Sequence, residues 1–295
     1  AGDVDGDGFA DVLVREMSQV DLPTEAGVVN LFYGPVSGTM FTPEADVRLV
    51  GEDEYATVGW EAVTAGDLDG DGFDDLIISN KGRYTSWSPW YALAWVFYGP
   101  LDEDLGTSAA DATLDFAEIH GSAVPLAVGD LDGDGCGDLA LGLDNFSEVT
   151  SGAGAVFLIH GPVSGQIDMT VEGPAVTGDR YMGALGDELA APGDVNGDGY
   201  IDVLAKSTED NGWGPWLFLG PFDGVRSLRS RSVRYVPDTT AHQAYPDTFA
   251  GVGDLDGDGR GDLLVGAYSA EVGGVDGGAA YVVTHGIVNE PSTIP

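Results

Sequence analysis

Short apolar runs and polar interruptions alternate along the whole chain in one recurring order. An apolar run ending in Gly-Asp, such as residues 63–67, leads into an acidic loop, and a run such as Asp75-Leu-Ile-Ile follows it. An aromatic run that closes on Gly comes next, as in Asn30-Leu-Phe-Tyr-Gly, and a more polar segment such as Asp46-Val-Arg-Leu-Val completes the unit. No apolar period of 3.6 residues is sustained, so the pattern predicts four short strands per unit, the fourth of them exposed, and no helices.

The unit occurs five times, and its acidic loops begin at Asp3, Asp67, Asp130, Asp194 and Asp254. This regular spacing predicts repeats at residues 1–58, 59–121, 122–185, 186–246 and 247–286, followed by a C-terminal linker at 287–295. Four short strands alone can bury only one face and need neighbouring units to cover it. The sequence therefore predicts an all-β fold over residues 1–286, a β-propeller of four-stranded antiparallel blades with five repeats visible.

Each acidic loop has nine residues, with carboxylate or amide side chains at positions 1, 3, 5 and 9 and Gly at positions 4 and 6. The glycines let the backbone curl so that the oxygens converge, and Ca²⁺ accepts about six to eight such hard ligands. The main-chain carbonyl at position 7 is a further expected ligand. About five Ca²⁺ sites are predicted, with the ligands Asp3, Asp5, Asp7, Phe9, Asp11, Asp67, Asp69, Asp71, Phe73, Asp75, Asp130, Asp132, Asp134, Cys136, Asp138, Asp194, Asn196, Asp198, Tyr200, Asp202, Asp254, Asp256, Asp258, Arg260 and Asp262.

Other metal loops fit this pattern less well. An EF-hand loop needs a bidentate Glu at position 12, where these loops have Val14, Ile78, Leu141, Ala205 and Val265. Mg²⁺ prefers to keep its water ligands, and Zn²⁺ prefers nitrogen or sulfur. Without a cation, carboxylates this close would repel one another by an energy on the order of kcal/mol per pair.

The charge balance excludes several classes of partner. The chain has 50 acidic and 11 basic residues, for a formal net charge of -39, so nucleic acid and anionic membranes are not expected partners. No apolar run is long enough for membrane insertion. A salt-adapted acidic surface is an alternative source of part of this charge, although it does not explain the fixed spacing of the acids.

Residues 249–268, which read Phe-Ala-Gly-Val-Gly-Asp-Leu-Asp-Gly-Asp-Gly-Arg-Gly-Asp-Leu-Leu-Val-Gly-Ala-Tyr, resemble the FG-GAP repeat of integrin α-subunit propellers and their bacterial relatives. Elsewhere the flanks depart from that pattern, since Gly59-Trp60 and Gly121-Ser122 replace the Phe-Gly pair. The resemblance implies calcium on one face, ligand binding by loops of the opposite face, and seven blades, of which five are visible here.

Histidines and a tripeptide invite other interpretations. Arg260-Gly-Asp spells an integrin-recognition motif, but Asp262 is itself a predicted calcium ligand and cannot serve a receptor as well. His160 and His285 occupy the repeat position of Tyr33, which predicts that they are structural substitutions, and His242 alone lies outside the repeat pattern. No catalytic triad or carboxylate pair stands apart from the repeats, so the chain is not expected to be an enzyme.

The loops that vary most between repeats are the expected place for ligand specificity. Aromatic clusters there suggest a platform for a sugar or protein, formed by Tyr84, Trp87, Trp90 and Trp213, although packing between blades explains them equally well. The expected role is an extracellular or cell-surface adhesion or scaffold module that binds a protein or glycan, within a longer chain of further domains. The alternatives are a propeller domain of a secreted hydrolase or lyase and a structural repeat of a surface filament.

Overall fold

The structure is a computed structural model, and it contains two compact units. It describes residues 2–16, 26–52, 57–80, 92–116, 123–147, 150–208, 214–222, 226–227, 232–234, 236–237, 248–267, 278–284 and 293–294. The first unit consists of Ala1–Leu141 with Leu158–Gly173, and the second consists of Gly142–Phe157 with Pro174–Pro295.

Nearly all regular structure in these residues is β-strand. The strands are β1 (Val12–Glu16), β2 (Val28–Phe32), β3 (Val47–Val50), β4 (Val58–Gly66), β5 (Asp75–Asn80), β6 (Leu93–Phe97), β7 (Leu105–Gly106), β8 (Ala112–Asp115), β9 (Ala123–Gly129), β10 (Asp138–Leu143), β11 (Ala155–His160), β12 (Gly165–Asp168), β13 (Val176–Thr177), β14 (Leu189–Gly193), β15 (Asp202–Ser207), β16 (Gly214–Phe218), β17 (Arg226–Ser227), β18 (Ser232–Arg234), β19 (Val236–Pro237), β20 (Thr248–Gly253), β21 (Asp262–Ala267), β22 (Ala279–Val283) and β23 (Thr293–Ile294). Among the described residues, helical structure is limited to α1 (Met169–Glu172) and two 3₁₀ turns, Thr42–Glu44 and Thr107–Ala109. Within the described residues, no helix is both long and apolar enough to cross a membrane.

The sheets follow the predicted order of strands within a repeat. In the first unit they run β1-β2-β3-β7 and β12-β8-β6-β5-β4, and in the second β14-β15-β16-β18 and β20-β21-β22. A further sheet, β17-β13-β11-β10-β9, contains strands of the third repeat, and β19 pairs with β23. Successive strands of a repeat are antiparallel, for example Leu13 opposite Leu31 and Leu31 opposite Val47. The predicted all-β propeller class with antiparallel blades is therefore confirmed, while the blade number of an intact ring stays a prediction.

The outer edges of the sheets differ from the expected exposed fourth strand. In β3 and β8 every second side chain is buried, including Val47 and Leu114. A short strand from the following repeat then pairs in parallel with the fourth strand, as β7 does with β3 and β12 does with β8. In the second unit, β17 pairs in the same way with β13. The additional strands satisfy backbone groups that an edge would otherwise leave open.

Apolar side chains from neighbouring sheets form the cores of both units. In the first unit, Leu31 and Leu49 of one sheet cluster with Leu76 and Ile78 of the next, and all four are fully buried. In the second unit, an equivalent cluster joins side chains of β15 and β16 to those of β21. Burying one such side chain contributes about 1.5–3 kcal/mol, so each sheet depends on its neighbour for stability.

Tyrosine hydroxyls add polar links between neighbouring repeats. The Tyr33 hydroxyl donates to the Leu101 carbonyl, and the Tyr98 hydroxyl donates to the Val163 carbonyl over 2.5 Å. Tyr98 also accepts the Val163 N–H over 2.8 Å. Burial, together with nearby carboxylates, raises the pKa of both phenols to about 12, so the hydroxyls remain protonated donors.

Candidate metal centres

The aspartate at position 1 organises each acidic loop by accepting main-chain N–H groups. In the second loop, Asp67 Oδ1 accepts from Gly70 and Asp71 over 2.7 and 3.0 Å, and Oδ2 accepts from Gly72 over 3.0 Å. The same bonds recur in the loops that begin at Asp130, Asp194 and Asp254. Three converging donors hold the chain in a tight curl around this carboxylate.

Positions 3 to 6 continue the curl. Asp69 Oδ1 accepts the Asp71 N–H over 3.1 Å, and Asp71 Oδ1 accepts the Phe73 N–H over 2.9 Å. Gly70 and Gly72 have φ angles of 78° and 96°, in the left-handed region that favours glycine. These local turns direct the side chains of positions 1, 3 and 5 to one side of the loop.

The aspartate at position 9 is the buried member of each set. Asp11, Asp75, Asp138, Asp202 and Asp262 are all 2% exposed or less. Asp75 Oδ2 accepts the Leu68 N–H over 2.6 Å inside the loop, and its Oδ1 accepts the Gly99 N–H over 2.8 Å beyond β6. This carboxylate therefore joins the acidic loop to the third strand of its own repeat.

Burial also raises the pKa of two of these aspartates. The pKa of the Asp75 carboxyl is raised to about 7, chiefly by burial and also by the charges of Asp69 and Asp71, although the two N–H donors oppose the shift. Burial raises the pKa of Asp202 to about 6, again against two N–H donors and with neighbouring acids adding to the rise. Both carboxylates would gain from a nearby cation, because it would stabilise their charged form.

In four of the loops, three carboxylates each offer an oxygen within one 4.8 Å cluster. The clusters are Asp3, Asp5, Asp11; Asp67, Asp69, Asp71; Asp130, Asp132, Asp134; and Asp254, Asp256, Asp262. Asp3 Oδ1 is buried and has no hydrogen-bond partner among the described residues. A buried carboxylate oxygen without a donor is costly unless a positive group lies beside it, so this loop fits a hard cation.

The fourth loop differs because Asn196 stands at position 3. Its Oδ1 accepts the Asp198 N–H over 2.8 Å, the bond that an aspartate makes in the other loops, and its Nδ2 donates to Asp198 Oδ2 over 3.1 Å. The loop keeps the same backbone form with one fewer negative charge. The position-7 residues donate their N–H groups to position 5, as Phe73 does, and coordination by their carbonyls stays a prediction.

Within each unit, neighbouring loops are hydrogen-bonded to one another. The position-8 N–H of one loop donates to the position-1 carbonyl of the loop before it, as Asp74 does to Asp3 over 3.1 Å and Gly137 to Asp67 over 2.7 Å. In the second unit, Gly261 donates to Asp194 over 2.8 Å. The loops of a unit therefore lie side by side rather than acting as isolated turns.

The structure supports the argument against an exposed integrin-recognition motif. The Asp262 side chain is 1% exposed, and its Oδ2 accepts the Leu255 N–H over 2.6 Å. A buried carboxylate held inside its own loop is not accessible to a receptor.

His160 has a different setting from the one that the sequence suggested. Its Nδ1 lies 3.5 Å from Asp132 Oδ2 and 3.5 Å from Asp138 Oδ2 of the third loop. The sequence signal for this contact is the position of His160 directly before Gly161. In the structure, the Gly161 N–H donates to Asp138 Oδ1 over 2.9 Å, so the end of this strand lies beside the third loop. The expected ligand-binding residues Tyr84, Trp87, Trp90 and Trp213, and the histidines His242 and His285, lie outside the described residues.

Acidic nine-residue loops between the strands of antiparallel blades define a class of repeat β-propellers. Family models match this chain at residues 3–78, as an FG-GAP-like repeat, and at residues 248–283, as an FG-GAP repeat. The chain is thus an integrin-like FG-GAP repeat protein, as its loop sequences indicate.

The similar proteins include integrin α-subunits and one enzyme. Integrin alpha pat-2 of Caenorhabditis briggsae is 29% identical over 80% of this chain and 19% of its own length. Human integrin alpha-IIb is 35% identical over 49% of this chain and 14% of its own. The phosphatidylinositol-glycan-specific phospholipase D of Bos taurus is 33% identical over 52% of this chain and 19% of its own. The chain therefore spans no more than about a fifth of the length of these relatives.

Proposed function

We propose that this chain is a calcium-binding adhesion or scaffold module of an extracellular or cell-surface protein. Its acidic loops hold about five Ca²⁺ ions, and its variable loops bind a protein or glycan. The observation that carries the calcium proposal is the convergence of carboxylates around the buried, unpartnered Asp3 Oδ1. The adhesive part is supported by the similarity to integrin α-subunits.

Calcium in these loops would have a structural role. The side chains of positions 1, 3, 5 and 9 would hold the ion, together with the carbonyl of position 7, and all of these donors are the hard oxygens that Ca²⁺ prefers. Because position 9 also bonds to the loop after the third strand, a bound ion would tie the loop to the body of the blade. Extracellular modules of this kind bind calcium with dissociation constants of about 10⁻⁴ to 10⁻³ M.

The ligand-binding role would lie away from the acidic loops. The oxygens of those loops already accept main-chain N–H groups, and Asp75 and Asp262 are buried. These two buried carboxylates are therefore not accessible to a macromolecule. The residues proposed to contact the ligand are Tyr84, Trp87, Trp90 and Trp213.

A second candidate function is that of an accessory propeller domain in a secreted hydrolase or lyase. The similarity to a phosphatidylinositol-glycan-specific phospholipase D favours it, because that relative is an enzyme. Binding of glycan and protein arrays by the purified chain would support the adhesion module. Hydrolysis of a glycan or glycolipid by the purified chain would contradict the proposal that it is not an enzyme.

Removal of calcium tests the central proposal. Saturation at about 100 times the dissociation constant adds roughly 2.7 kcal/mol per site if only the folded chain binds the ion. We therefore expect thermal unfolding, followed by circular dichroism, to occur at a clearly higher temperature in calcium than in EGTA. Mg²⁺ at the same concentration is the control, and equal midpoints in calcium and EGTA would contradict the proposal.

A further inference from the structure

His160 places a nitrogen ligand beside the third acidic loop. Its Nδ1 is 3.5 Å from an oxygen of Asp132 and 3.5 Å from an oxygen of Asp138, and the three atoms lie within one 4.8 Å cluster. Ligands that bind one ion over about 2.1 Å stand roughly 3.0–3.4 Å apart in octahedral or tetrahedral geometry. The observed spacing is therefore close to that of a mixed nitrogen and oxygen coordination sphere.

Two of the three donors are held in place by the fold. Asp138 is fully buried, with Oδ1 accepting the Gly161 N–H over 2.9 Å and Oδ2 accepting the Leu131 N–H over 2.5 Å. His160 ends β11 directly before Gly161, so the same bond fixes its backbone. Asp132 Oδ1 accepts the Asp134 N–H over 3.2 Å, which leaves Oδ2 on the side of the imidazole.

The first, second and fourth repeats lack this nitrogen, whereas the fifth has His285 at the equivalent position, outside the described residues. Tyr33 and Tyr98 occupy the position of His160, and their hydroxyls donate to main-chain carbonyls of the following repeat. The fourth repeat has Leu219 there. In the described loops, the third is thus distinguished by an imidazole that faces two carboxylates, and its half-exposed ring, 49% accessible, leaves room for water ligands.

We propose that Asp132, Asp138 and His160 bind a first-row transition-metal dication such as Zn²⁺ or Co²⁺ in preference to Ca²⁺. Imidazole nitrogen suits these ions, whereas Ca²⁺ prefers oxygen ligands throughout. The site deepens the proposed calcium function by giving one loop a different specificity, but its three ligands do not depend on calcium in the other loops.

The test uses the full chain and Co²⁺ as a visible probe. With Ca²⁺ in large excess to fill the remaining loops, we expect the third loop to bind one equivalent of Co²⁺, which shows d–d absorption and is displaced by Zn²⁺. His160→Tyr, which restores the residue of the sister repeats, should weaken Co²⁺ binding at least about tenfold. His242→Gln is the matched control, because it removes a histidine outside the repeat pattern, and it should leave the spectrum and the affinity unchanged.

A second measurement guards against a fold defect in the variant. Both His160→Tyr and His160→Gln should keep the circular dichroism spectrum, and imidazole ¹⁵N resonances of the parent chain should show one histidine shifted by Zn²⁺. Co²⁺ affinity unchanged in both variants would overturn the proposal, since another histidine would then be the ligand. If EGTA leaves stability unchanged while Co²⁺ binding still requires His160, the calcium function fails and this site stands.

Discussion

Among single residues, the position-9 aspartates combine a proposed role as metal ligands with an observed structural role, and the sequence does not separate the two. The spacing of acids predicted their place among the metal ligands, because position 9 follows the glycine-rich turn at a fixed distance. It did not predict that Asp75 is buried and accepts one N–H from its loop and another from Gly99. That second bond depends on the pairing of β5 with β6, which a loop motif does not encode.

Asparagine substitutions separate the two roles. Asp75→Asn should destabilise the chain by about 1–3 kcal/mol even in EGTA, because an amide offers one acceptor oxygen and would turn an NH₂ toward an N–H donor. Asp71→Asn is the control, since Asp71 is exposed and its Oδ1 accepts the Phe73 N–H within the loop. We expect Asp71→Asn to change urea unfolding in EGTA by at most about 0.5 kcal/mol.

Both variants should weaken calcium-dependent stabilisation, because each removes a carboxylate of the second loop. Equal loss of stability for the two variants in EGTA would show that the buried N–H bonds contribute little. The sequence also predicted the repeat position of His160 but not the direction of its ring, which faces Asp132 and Asp138.

At the scale of strands, the sequence predicted the elements with a clear pattern and missed those without one. Alternating apolar residues and the Gly-Asp boundaries predicted the strands that flank each acidic loop, and the aromatic runs predicted β2, β6, β11, β16 and β22. The short parallel strands β7, β12 and β17 contain two to four residues and have no periodic pattern. Their pairing is set by the neighbouring repeat rather than by their own residues.

The tyrosine link between neighbouring repeats is testable by removing one oxygen atom. Tyr98→Phe leaves the Val163 N–H and carbonyl without this partner and should lower the free energy of unfolding by about 1–2 kcal/mol. Tyr200→Phe is the control, since the Tyr200 ring is 46% exposed. Urea unfolding in calcium compares the two, and an equal midpoint for Tyr98→Phe and the parent chain would contradict a stabilising link.

Over the whole molecule, the dominant physical term beyond the cores is the excess of negative charge. Fifty acidic residues face 11 basic ones, so the folded chain repels itself wherever cations do not neutralise the loops. The net charge could be predicted completely from the sequence, because it depends only on the numbers of acidic and basic residues and not on how the chain folds. The repeat boundaries and the blade number of an intact ring remain predictions.

Salt should therefore stabilise the calcium-free chain. Raising NaCl from about 0.1 M to about 1 M shortens the Debye length from about 10 Å to about 3 Å and screens the repulsion between acids. We expect the thermal midpoint in EGTA to rise by several degrees, and to rise less in calcium, because ions at the proposed sites would neutralise the loops. Tetramethylammonium chloride controls for specific Na⁺ binding, and a midpoint in EGTA that falls or stays constant would contradict the electrostatic argument.

The parallel strand that each of three sheets receives from the following repeat bears on how such a chain could be assembled by gene duplication. Gly165–Asp168 lies in the third sequence repeat but completes the edge of the second repeat's sheet at Ala112–Asp115. A recombination breakpoint between those repeats would leave the donor and the recipient each with an incomplete edge, open to pairing with foreign chains. A single sequence repeat is therefore not a complete structural unit, because the edge of its sheet depends on a strand from the following repeat.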